Sequence, residues 1–221
     1  MQMIRTRHFV MLVLVGVMTF PISFGTAHAE NGSQAANVRW TSGGTEQGKW
    51  MFGFRAGFAP LTQELRRNFS TEVGSLVNVQ GLYSVNKWLL AGLTLEWERH
   101  AVNQERPSVD LGHVDTVSLL PTVEVRPGRL GPIGPYASMG LGVNVNSFGE
   151  SHSLRGTTIS PSNNVAWRLA WGADYFLTSA LALNAEMAYK RNDGHVTVNG
   201  VQSSDWNASS FGFLFGIRAL F

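Results

Sequence analysis

Ten charged side chains are the residues of this chain best placed to do chemistry: Arg55, Glu96, Glu98, Glu124, Arg126, Arg168, Asp174, Glu186, Lys190 and Arg218. Glu96, Glu98, Glu124 and Glu186 suggest paired carboxylates for general acid–base work. The same residues also fit a salt-bridged polar face, with Arg126, Arg168 and Arg218 as partners. Charges in a confined interior need partners, and here the two signs nearly match. That reading fits better, so no catalytic residue is assigned and the chain is expected not to be an enzyme. His100, His113, His152 and His195 carry the commonest metal-ligating ring. They fall in or beside expected loops at no ligand spacing, so solvated loop His is expected, with no metal and no cofactor. Ser151-His152-Ser153 puts a nucleophile beside a base, but a triad gathers residues distant in sequence. Gly140-Leu141-Gly142 lacks the third Gly and the following helix of a nucleotide loop. Arg66-Arg67 could meet lipid phosphates, although a solvated loop pair accounts for it as well.

What positions the ten charges is alternation. A strand sends successive side chains to opposite faces. Eight segments alternate in this way, over about 50–59, 73–85, 88–99, 114–126, 136–148, 165–176, 181–190 and 211–221. In the last, Phe211, Phe213, Phe215, Ile217, Ala219 and Phe221 share one face. Gly212, Leu214, Gly216, Arg218 and Leu220 share the other. All ten charges fall on the less apolar face, among several Gly. Pro121 sits inside the fourth segment, where a bulge or kink is expected.

Segments of about ten residues match the length of a transmembrane β-strand, and only a closed barrel satisfies every backbone group in lipid. The spacing therefore predicts an all-β chain, an eight-stranded antiparallel transmembrane β-barrel wound as an up-and-down meander over 49–221. Connections alternate in length. Those at 60–72, 100–113, 149–164 and 191–207 are long, and those at 86–87, 127–135 and 177–180 are short, which suits long extracellular loops and short periplasmic turns. Both termini then lie on the periplasmic side. Trp50, Tyr83, Trp88, Tyr136, Tyr175 and Phe221 would mark one aromatic girdle. Phe58, Trp97, Phe148, Trp167, Tyr189 and Trp206 would mark the other. A soluble eight-stranded barrel would invert the pattern, but a face so rich in Trp and Phe is too bulky to fill so narrow an interior.

Composition agrees. Charged residues are only 14% of the 221, against about 25% in ordinary soluble domains. The absence of Cys excludes disulfides, thiolate metal sites and a Cys nucleophile. Residues 1–29 read as a cleaved signal peptide, with Arg5 and Arg7 ahead of an apolar run from Phe9 to Phe20 and cleavage between Ala29 and Glu30. Removing it takes two of the 17 basic residues and none of the 15 acidic ones, which leaves the signs equal and gives no pull toward nucleic acid. Residues 30–48 are polar and read as a flexible periplasmic tail.

The run Tyr175-Phe176-Leu177-Thr178-Ser179-Ala180-Leu181-Ala182-Leu183-Asn184-Ala185-Glu186 resembles a periplasmic-turn hairpin of the small OmpW/OmpA/OmpX-type outer-membrane barrels. Gly134-Pro135-Tyr136-Ala137-Ser138-Met139-Gly140-Leu141-Gly142 is similar to a strand of that family, and so is the ending on Phe221. The resemblance implies an integral bacterial outer-membrane protein surrounded by outer-membrane lipid and lipopolysaccharide. It also implies that Phe221 signals to the barrel-assembly machinery. From OmpW-like members it implies passage or binding of small molecules, hydrophobic ones included. OmpA-like and OmpX-like members imply a structural or surface-interaction role without transport, and a lipid-modifying enzyme is a third class. A lumen blocked throughout by ion pairs would favour the structural role, and an apolar passage would favour transport. A Ser or His facing lipid beside a carboxylate would revive the enzyme.

Overall fold

The computed structural model describes residues 40–42, 45–63, 69–105, 108–151 and 156–221, all within one compact unit over 38–221. The expected signal peptide, the Ala29–Glu30 cleavage site, Arg66-Arg67, His152 and Ser153 lie outside the described residues.

Eight strands close on themselves. They are β1 (Trp50–Ala59), β2 (Gly74–Ser84), β3 (Leu89–Glu105), β4 (Ser108–Val125), β5 (Ile133–Glu150), β6 (Asn164–Phe176), β7 (Leu181–Arg191) and β8 (Ser210–Leu220). Each pairs antiparallel with its chain neighbours. The ring shuts where β8 meets β1, from Phe213 opposite Phe58 to Leu220 opposite Met51. Phe221 and Trp50 exchange two further backbone hydrogen bonds at 2.9 and 3.0 Å. Closure removes the edges an open sheet would leave in hydrocarbon.

The alternation sorts the faces. Phe52, Phe54, Leu141 and Phe215 are each more than half exposed on the outside, while Arg55, Leu82, Glu124 and Arg218 are fully buried inside. An apolar outer belt of this extent suits lipid rather than water. Inward glycines let the strands close up. A Cβ at Gly142 would lie 1.9 Å from the Leu119 carbonyl oxygen, and one at Gly216 would lie 2.0 Å from that of Phe54. Gly142→Ala is therefore expected to cost about 1–3 kcal/mol of overpacking. A lowered urea midpoint for the unfolding of the refolded barrel would show it.

Several expectations are corrected. The stretch 100–113 is mostly strand: β3 and β4 run on together, with a register shift between Val102 and Asn103. The stretch 191–207 is a hairpin, Asp193–Val198 against Val201–Asn207, joined by Ile159–Pro161 as a third strand. It turns on Asn199 (φ 48°) and Gly200 (φ 80°), the two left-handed positions that a two-residue hairpin turn requires. No bulge forms at Pro121. Leu119 opposite Val143 and Thr122 opposite Gly140 keep one register, and Pro121 stands across from Leu93 on the other side. Its missing N–H falls in a two-residue lapse of the β4–β5 ladder. Finally, Trp40–Ser42, expected in a flexible tail, pairs with Gly128–Leu130 in the β4–β5 connection.

Candidate functional site: the barrel interior

Even-numbered positions of β2 through β8, in β4 from Val114 onward, and odd-numbered positions of β1 point inward, and what they carry changes along the axis. At the end bearing the termini, Met51, Leu82 and Leu90 pack with Leu220 into an apolar layer. Two cations and two acids follow. Arg126 donates to Glu124 and to Asp174, both at 2.6 Å. Arg218 donates to Glu124 at 3.0 and 3.1 Å and to Asp174 at 3.3 Å.

Tyr136 joins this layer to the next. Its hydroxyl donates to Glu186 at 2.8 Å and accepts from Asn184 at 2.9 Å, and its ring lies 4.1 Å from the Arg218 guanidinium. Above it Glu186 accepts from Arg55 and, at 2.6 Å, from Arg168. Arg168 also reaches Glu96 at 3.0 Å. Lys190 pairs with Glu96 at 3.1 Å and with Glu98. Glu98 meets the His100 Nε2 at 2.8 Å. All ten charged residues singled out from the sequence thus lie buried in one interior, five of each sign. Burying a charge is costly unless it is paired, and the equal count lets every one be paired. Each of these five carboxylates is bonded to a cation.

Two residues of the ionic layers depart from their expected places. Tyr136 is an interior residue, not part of an aromatic girdle, and His100 is buried rather than solvated in a loop. Beyond the charges comes an amide layer the sequence reading did not assemble. Asn146 and Asn192 bond each other at 2.9 and 3.1 Å, and Asn164 bonds both Asn144 and Asn192. Farther out, Val102, Leu111, Val114, Trp206 and Ala208 form an apolar cluster, with Phe148 packed against it. Trp206 and Phe148, expected in the outer girdle, belong here instead. The Trp206 Nε1 is buried with no partner among the described residues.

The remaining candidates lie apart. His113 Nε2 is 3.2 Å from Asp115, whose carboxylate also takes two hydrogen bonds from Arg99. Ser151 donates to the Asp110 carbonyl. His195 pairs with Asp205 in the exposed hairpin. No group of three or more metal-ligating side chains occurs among the described residues.

No family model and no curated relative matches the sequence. Solved structures do. The outer membrane protein OprG from Pseudomonas aeruginosa superposes with a TM-score of 0.63 at 15% identity, over 80% of this chain and 98% of that one. Neisserial surface protein A gives 0.52 at 15% identity, over 79% and 98%. The outer membrane protein AlkL, solved in DMPC lipid bilayers, gives 0.51 at 15% identity, over 88% and 97%. The fold is that of the small outer-membrane β-barrels. In an outer-membrane barrel of eight strands the interior is just wide enough for side chains. Here layered apolar, ionic and amide contacts occupy it from one end to the other.

Proposed function

We propose that this protein is an integral outer-membrane barrel, both termini periplasmic, that binds small molecules, hydrophobic ones included, at its outer mouth and is not an enzyme. The observation that carries this reading is the change of character along the axis. The paired charges and amides end at His100, Thr116 and Asn146. The inward rows then continue as Val102, Val114 and Phe148, capped by Trp206 with an unpartnered N–H. An apolar site with one polar handle suits a small apolar molecule carrying an acceptor. The ionic layers beneath support a barrel that does not conduct along its axis. Lipid and lipopolysaccharide would surround the belt, and the β8 ending at Phe221 would be read by the assembly machinery.

Quenching of tryptophan fluorescence by a brominated medium-chain alcohol tests the reading, with the protein in nanodiscs. A saturable component present in the native chain and lost in Trp206→Phe is the expected result. Identical, non-saturating quenching in both chains would overturn it. A structural or surface-interaction barrel is the second reading, and the continuous packing of the interior favours it. Non-saturating quenching would leave that reading standing.

A further inference from the structure

The described residues before β1 do not hang free. Gly48 (φ 83°) takes the left-handed conformation that turns the chain away from β1. Its N–H donates to the Ser84 carbonyl at 2.9 Å, and the Ser84 N–H donates to the Lys49 carbonyl at 2.8 Å. The Thr45 and Ser84 hydroxyls lie 3.0 Å apart in a buried contact. Ser84 is the last inward residue of β2, directly beside the apolar layer of Met51, Leu82 and Leu90. A second anchor is Trp40–Ser42, paired residue for residue with Gly128–Leu130 in the β4–β5 connection. In the ring β1 and the β4–β5 connection stand on nearly opposite sides. The two anchors therefore hold the segment on both sides of the mouth.

We propose that residues 40–42 and 45–49 act as a strap that shuts the terminus-side mouth, a second closure independent of the ion pairs above it. Its hold is small. Three paired residues, two backbone hydrogen bonds and one hydroxyl contact place it at the weak end of local opening. The strap can thus release while the barrel stays closed behind it, uncovering Ser84 and the apolar layer to water. This inference does not depend on what the outer mouth binds.

The chain has no Cys, so Ser84→Cys supplies a single thiol. A charged, membrane-impermeant maleimide is applied to refolded protein with that change, in the full mature chain and in a chain lacking residues 30–46. Thr94→Cys, fully buried on the inward face of β3, serves as the control for an intact barrel. Labelling of Ser84→Cys should be at least about tenfold faster without the strap, while Thr94→Cys stays protected in both chains. In a separate chain, Thr45→Cys combined with Ser84→Cys should close a disulfide under mild oxidation. Equal labelling rates, joint loss of Thr94→Cys protection, or a pair that stays reduced would each overturn the proposal.

Discussion

Glu186→Ala is expected to destabilise the barrel by about 3–5 kcal/mol, the cost of breaking a buried ion pair from one side. Glu186 accepts from Arg55, Arg168 and Tyr136, and its Oε2 lies 3.8 Å from Arg218. Removing it leaves Arg55 and Arg168 short of a partner in an interior where each is buried. Adding Arg55→Met to the same chain restores the balance of charge and should recover a large part of the loss. Urea unfolding followed by tryptophan fluorescence measures both. The size of the effect is diagnostic, because a water-filled lumen would screen these groups and reduce the single-variant cost to roughly that of a surface pair, under about 1 kcal/mol.

Leu141→Arg tests the other face. Leu141 lies midway along β5, opposite Trp167 and 58% exposed. In a bilayer an Arg at the midplane of the lipid face costs about 2–4 kcal/mol. On a barrel surrounded by water the same exposed substitution would change stability by only about 0.5 kcal/mol. Equilibrium refolding into vesicles should show the larger cost, and a near-neutral result would contradict the lipid-facing assignment of the belt.

The parity of side chains makes most of this architecture legible in the sequence. Glu96 and Glu98 share a face because they are two residues apart, and Arg218 falls opposite the Phe row of β8 by the same rule. The same rule extends to His100 and Tyr136. His100 continues the Glu96–Glu98 row, and Tyr136 shares the parity of Ser138 and Gly140, so parity alone places both inward. Tyr136 was assigned to a girdle because an aromatic at a strand end suits a membrane interface, yet its hydroxyl had Glu186 to reach. Asn199-Gly200 carried the hairpin signal within a stretch taken for a loop. The outer parts of β3 and β4 were harder to see. Beyond the belt no lipid demands an apolar face, so alternation lapses while the hydrogen bonding continues. The pairing of Asn192 with Asn146, and of Trp40–Ser42 with Gly128–Leu130, depends on register and ring closure, which a single sequence does not display.

The closed axis is tested most directly by single-channel recording of the refolded protein in planar bilayers, with and without small hydrophobic solutes. The layered, charge-balanced interior predicts silence in both conditions, with the protein shown to be inserted by its resistance to protease. Discrete openings in the absence of solute, at a conductance that scales with bulk salt, would mean a continuous water path through the Arg126, Tyr136 and Glu186 layers and would contradict the account.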